Sequence, residues 1–147
     1  MKHGIVVCLV SFVATGLFAR DPLSVGSVAA NPGQKVSGWI DVPRGSDEGT
    51  KIPVSVAHGA KSGPVLALIA GTHGYEYRSI IALQRVLAAL DPALMSGSVI
   101  LVQMANPTTF YGRRVYYGAD GKNLNRMYPG DPKGRSASGS RTRSRPR

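Results

Sequence analysis

An imidazole and a carboxylate stand three residues apart in the run Gly71-Thr72-His73-Gly74-Tyr75-Glu76. The run follows the apolar stretch Pro64–Ala70 and precedes a helical pattern. It therefore puts both groups at the carboxyl end of a strand, where open α/β sheets bind their ligands. A neutral imidazole nitrogen and a carboxylate are two of the donors used by hydrolytic zinc sites, which take three protein ligands and leave one position open for water. Gly74 lets the backbone come close to a bound cation. The spacing also fits a plainer role, a His and a Glu at a helix start, where a carboxylate is favourable against the helix dipole.

A third donor is not evident. The chain has three histidines, His3, His58 and His73. His3 belongs to an amino-terminal leader. His58 ends the strand before the one that leads to His73, so a strand of about seven residues, roughly 20 Å, lies between them. It reads as a hairpin residue and not as a ligand. Asp47 and Glu48 fall in an early turn, and Asp120 precedes Gly121 in another. No remaining Glu stands out as a general base beside the pair. A second group of polar residues follows at Asn123-Leu124-Asn125-Arg126, with Arg113 and Arg114 upstream. Two guanidiniums and an amide could clamp a carboxylate through bidentate hydrogen bonds. Solvated arginines on a surface loop fit the same composition.

The elements that must position these groups are legible as patterns. Lys35–Val42 alternates loosely and predicts a strand. Lys51–His58 alternates Ile52, Val54 and Val56, a half-buried strand. Gly59–Gly63 is short enough for a hairpin. Pro64–Ala70 is apolar throughout, as in a strand buried on both faces. Ile81, Leu83, Val86, Leu87 and Leu90 predict a helix over Arg78–Leu90, stopped by Asp91-Pro92. Ser98–Met104 predicts a second buried strand, so strand, helix and strand form a parallel crossover. Asn106–Gly121 reads as a long loop with three tyrosines, of the kind that often carries function. Arg20–Gln34, rich in Gly, Ser, Pro and Ala, reads as a linker or extended arm.

Composition narrows the partners. The net charge of +10 points toward acidic partners such as nucleic acid. Its distribution argues otherwise. Five arginines lie in residues 134–147, and residues 20–133 carry 12 basic against 8 acidic groups. That tail, Gly134–Arg147, has no large apolar residue and cannot form a core. It fits either an arginine–serine arm for RNA or the product of a frame change in GC-rich coding DNA. Residues 1–19 read as a secretory signal: Lys2, an apolar run Gly4–Phe18, and Ala19 at the cleavage point. The run is short for a membrane span of roughly 20 residues. Export, to the periplasm in a Gram-negative cell, is the expectation, with no stable span after cleavage. Cys8, the one cysteine, lies in the leader, so the mature chain has no thiol chemistry. The nucleophile elbow of a serine hydrolase, Gly-x-Ser-x-Gly, does not occur. A phosphate-binding loop fails on its glycine spacing.

Three separated motifs, Gly71–Glu76, Asn106-Pro107 and Asp120–Gly130 (DGKNLNRMYPG), resemble the succinylglutamate desuccinylase/aspartoacylase family of the zinc carboxypeptidase clan. The resemblance covers roughly residues 35–133. It implies a three-layer α/β fold with a mixed central sheet, of which this chain holds the amino-terminal part. It implies Zn2+ held by the residues matching His73 and Glu76. It implies that Asn125 and Arg126 hold a substrate carboxylate with help from an upstream arginine, Arg114 foremost and Arg113 next. Asn123 stands where many relatives have Asp. The implied reaction is metal-assisted hydrolysis of an amide or ester in a small carboxylate-bearing substrate, with no nucleic-acid partner. Relatives draw their third ligand, a His, and their water-activating Glu from a later part with no match here. The expectation for this chain alone is therefore half a metal site and negligible hydrolysis. The alternatives are a non-catalytic fragment, or a nucleic-acid binder acting through the basic tail.

Overall fold

The computed structural model describes residues 20–44, 48–113, 115 and 121–128. The leader at 1–19, Asp47, Arg114, Asp120 and the tail at 134–147 lie outside the described residues. Among those described, six strands and three short or medium helices follow in the order β1 (Leu23–Val25), β2 (Val28–Ala30), β3 (Gln34–Val42), β4 (Thr50–His58), β5 (Lys61–Ile69), α1 (Tyr77–Ala89), β6 (Ser96–Val102), α2 (Pro107–Tyr111) and a 3-10 turn at Leu124–Arg126. The main sheet has the order β3-β4-β6-β5. β3 pairs antiparallel with β4, β4 antiparallel with β6, and β6 parallel with β5. This is the mixed sheet and α/β class expected.

The connection Gly59–Gly63 is not a hairpin. β6 slides between β4 and β5, so those two strands never pair. The crossing is possible because three glycines meet there. A Cβ on Gly59 would collide with the carbonyl oxygen of Gly97, and one on Gly63 would lie 2.6 Å from Gly97 N. Gly97 itself has φ +78°, a conformation that side chains disfavour. Backbone bonds from Gly59 N to Gly97 O (2.9 Å) and from Lys61 N to Met95 O (3.1 Å) close the corner. His58 is buried beside this corner, with Nδ1 2.6 Å from Ser98 Oγ.

Residues 23–30 fold as a hairpin that packs on the sheet. β1 and β2 pair with each other, and Val28 and Ala30 join Val54 and Val56 in the core, flanked by Val36, Ile40, Ile100 and Val102. The composition hid this because each strand is only three residues long. Gly38 makes room for it, since a Cβ there would lie 2.8 Å from Val28 Cγ2. The hairpin thus covers one face of the sheet. Lys35, on the opposite face, caps the carboxyl end of α1, with Nζ 2.7 Å from Leu87 O and 2.9 Å from Leu90 O. A cation is favourable at that end of a helix. α1 buries Ile80, whereas Ile81 and Val86 point outward, against the stripe read from spacing.

The largest departure concerns β5. It is the edge strand among the described residues, and Val65, Leu66 and Ile69 are 56, 54 and 55% exposed. The sequence pattern predicts a strand buried on both faces, but side chains on both faces of β5 are exposed among the described residues. No described helix is long and apolar enough to cross a membrane.

Val65→Lys separates the two environments. An exposed site costs within about 0.5 kcal/mol on substitution, whereas a charge in a filled core costs several times more. Urea unfolding of Val65→Lys should match the parent within that margin, with less self-association in sedimentation; Val56→Lys should not fold.

Candidate functional site

The site grows from the ends of two parallel strands. β5 and β6 finish side by side, with Ile69 opposite Val102. The pairing then continues without strand geometry: Ala70 N donates to Val102 O (2.9 Å), Ala105 N to Ala70 O (2.8 Å) and Asn106 N to Gly71 O (2.9 Å). Gly71 has φ +68°, and a Cβ there would lie 3.0 Å from Met104 Cα. The chain therefore turns sharply at Gly71, pinned to the start of α2, and delivers Thr72–Glu76 above the strand ends.

In that turn His73 Nδ1 lies 2.7 Å from Glu76 Oε1, and His73 Nε2 lies 3.0 Å from Asn123 Oδ1. The same Asn123 oxygen accepts the backbone N–H of Asn125 at 2.9 Å. That second bond identifies the atom as the carbonyl oxygen and so an acceptor. His73 must then donate through Nε2. A neutral ring so held carries its lone pair on Nδ1, facing a carboxylate oxygen. Two electron-rich atoms at 2.7 Å are stable only with a proton or a cation between them.

Glu76 occupies the N-cap position of α1 yet makes no capping bond with its side chain. Its carboxylate turns to His73 instead, which decides against the helix-capping role. Ser79 Oγ, which donates to Glu76 O at 2.8 Å, braces the turn. His73 is the more enclosed partner, its side chain 16% exposed against 38% for Glu76.

The donor set suits a divalent cation in part. Zinc held at about 2.0–2.2 Å by a nitrogen and an oxygen in tetrahedral geometry separates them by roughly 3.3 Å, so the pair need open by only about half an ångström. An imidazole whose other nitrogen donates to a fixed oxygen is the usual arrangement around a metal. The described residues hold no group of three His, Cys, Asp or Glu side chains that could complete the coordination. His58 does not contribute; it lies opposite Ser98, at the far end of the sheet from Val102.

Asn125 and Arg126 are brought to the same end of the sheet by Asn123 and are exposed. Arg126 Nη1 makes one contact within its own turn, to Asn125 O at 3.3 Å. Arg114 lies outside the described residues. Its neighbour Arg113 follows α2, a helix within the segment read as loop. Asn106 caps that helix, accepting from Thr109 N at 3.2 Å, and Pro107 sits at its first position. This Asn-Pro pair was the available signal for a helix start. The role of Asn123 had no such signal, since it lies 50 residues from His73. A cleft of about 640 Å³ opens beside the pair, lined by Ile69, Tyr75, Glu76, Tyr77, Arg78 and Ser79 among others.

Residues 62–146 match the model of the succinylglutamate desuccinylase/aspartoacylase catalytic domain. The chain belongs to this family. A similar curated protein is the N-alpha-acetyl-L-2,4-diaminobutyric acid deacetylase of Halomonas elongata, 41% identical over 102 residues, which are 66% of this chain and 29% of that protein. Among solved structures, an aspartoacylase family protein from Mesorhizobium loti superposes with TM-score 0.65 at 32% identity, covering 74% of this chain and 34% of the other. A succinylglutamate desuccinylase/aspartoacylase from Rhodobacter sphaeroides gives 0.61 at 30% identity, over 71% and 33%. The product-bound ectoine utilization protein of Ruegeria pomeroyi gives 0.65 at 26% identity, over 81% and 37%. The chain thus spans about a third of the length of these family members.

If Asn123 fixes the His73 ring, removing its oxygen loosens the nitrogen that faces Glu76. Loss of such an outer partner typically costs 10–100-fold in metal affinity. With zinc as the probe, Asn123→Ala should bind at least about tenfold more weakly by chelator competition, and Asn123→Asp, which keeps the acceptor, should not.

Proposed function

We propose that this chain is the metal-pair half of a zinc-dependent deacylase, acting on an amide or ester bond in a small, carboxylate-bearing acylated molecule. The observation that supports it most is the fixed His73 ring: Nε2 donates to Asn123 and Nδ1 faces Glu76. His73 and Glu76 are the residues that would hold the metal. When bound, zinc supplies a Lewis acid for the scissile carbonyl and a water of lowered pKa. Asn125 and Arg126 receive the substrate carboxylate, Arg114 being the upstream arginine of choice. A planar guanidinium next to an amide suits bidentate recognition of that group. The relative from Halomonas elongata removes an acetyl group from a diamino acid, a substrate of this chemical class.

The division of labour follows from which groups are present. Two donors orient one cation, and the Asn125–Arg126 turn is tied to them through Asn123. Placing a substrate's carboxylate near its scissile bond's metal is a matter of fixed distance, the kind of positioning that lowers a barrier before any chemistry. The proton-shuttling carboxylate of such a reaction is not among the described residues near the pair. We therefore also propose that the chain alone hydrolyses nothing measurable. Export, resting on the leader at residues 1–19, is a further part of this proposal.

Zinc binding by equilibrium dialysis, together with an assay on N-acetylated amino acids, tests both statements. The expected result is weak binding of one zinc, reduced at least tenfold in His73→Ala and in Glu76→Ala, with no turnover. Zinc uptake indifferent to both substitutions would remove the metal role. Tight stoichiometric zinc with turnover would show that the site is complete.

A further inference from the structure

We propose that Tyr75 is a positioning residue, whose hydroxyl latches the metal-binding turn to the exit of α2 at Arg113. The inference rests on the metal reading of His73 and Glu76. Tyr75 stands between those two donors in sequence. Its hydroxyl donates to the Arg113 carbonyl oxygen at 3.1 Å. Beside it, the Gly74 amide donates to Val115 O, also at 3.1 Å. Two consecutive residues of the turn are thus bonded to two residues just beyond α2.

The receiving side pays a conformational cost for this. Arg113 has φ +51° and is the one non-glycine residue with positive φ among those described. Left-handed backbone is disfavoured for a residue with a side chain. Its position explains the conformation in part. Arg113 N donates to Phe110 O at 3.2 Å and Gly112 N to Thr108 O at 3.0 Å, so the helix ends in a left-handed residue where glycine is usual. An arginine there, with its carbonyl held by Tyr75, is the strained arrangement that persists when surroundings fix it, and such residues gather at functional sites.

Aromatic contacts join the same two elements. Tyr75 lies 5.8 Å from Tyr77, Tyr77 5.5 Å from Phe110 in an edge-to-face pair, and Phe110 5.3 Å from Tyr111. The row leads from the turn to α2. Tyr75→Phe keeps the row and removes only the hydroxyl, which isolates the latch. Tyr75 is half exposed, so its hydroxyl can be removed without emptying the core. Without the hydroxyl the turn samples other positions, and the two donors meet a cation less often.

The substitutions Tyr75→Phe and Arg113→Gly test this on the full chain. One hydrogen bond in a half-exposed position corresponds to about threefold to tenfold in affinity. Tyr75→Phe should bind zinc weaker by that factor with an unchanged urea midpoint, and its Gly74 amide should exchange faster with deuterium. Arg113→Gly, which keeps the carbonyl acceptor and relieves the backbone, should retain wild-type zinc affinity. Zinc affinity and urea midpoint falling together in Tyr75→Phe would make the residue merely structural and overturn the proposal. An Arg113→Gly variant as weak as Tyr75→Phe would overturn it too, by moving the role to the side chain. A wild-type chain that takes up no zinc overturns the metal reading instead; Gly74 exchange then decides the latch, and unchanged exchange in Tyr75→Phe sinks it.

Discussion

The parallel pairing of β5 with β6 is the constraint on which the rest of the site depends. It brings two strand ends level, Ile69 beside Val102, and the hydrogen bonds at Ala70 and Gly71 extend that alignment beyond the strands. Both the turn with His73 and Glu76 and the segment leading to α2 leave from this point. Backbone bonds therefore fix their relative placement where they leave the sheet. The glycine corner at Gly59, Gly63 and Gly97 is the precondition, because it lets β6 enter between β4 and β5. A side chain at any of these glycines would push apart strands that have to touch.

From that base the chemistry follows by exclusion of protons. Asn123 receives two donors on one oxygen, from His73 Nε2 and Asn125 N. An oxygen cannot donate, so Nε2 carries a proton, and Nδ1 faces Glu76. Glu76 then aims a second electron-rich atom at the same point, giving up a helix cap to do so. Two electron-rich atoms so placed need a proton or a cation between them. Asn123 also caps the 3-10 turn that carries Asn125 and Arg126, which brings those side chains to the same strand ends.

The sequence showed the local parts of this and missed the relational ones. His73 and Glu76 were legible because an apolar strand, a glycine turn and a helix follow one another without interruption. The α1 boundary at Asp91-Pro92 was legible for the same reason. The β4–β5 connection was misread because a short glycine-rich link between two strands usually makes a hairpin, and nothing local announces a third strand between them. β5 was read as buried because its pattern reports the surroundings the strand is suited to, and the described elements cover one edge only. The strands in residues 20–34 escaped because they are three residues each and dressed in turn-forming residues. Asn123 escaped because a contact 50 residues long has no periodicity. Family resemblance supplied what spacing could not, the joint meaning of motifs that the fold brings together.

The central claim is that His73 keeps its proton on Nε2 and offers Nδ1 to a cation shared with Glu76. Two-bond proton–nitrogen NMR of the 15N-labelled chain, with and without zinc, reads this directly. The account predicts that zinc shifts the His73 Nδ1 resonance while Nε2 stays protonated, with His58 unaffected. A proton on Nδ1 with the zinc shift at Nε2, or a His73 ring that does not respond to zinc, would contradict it.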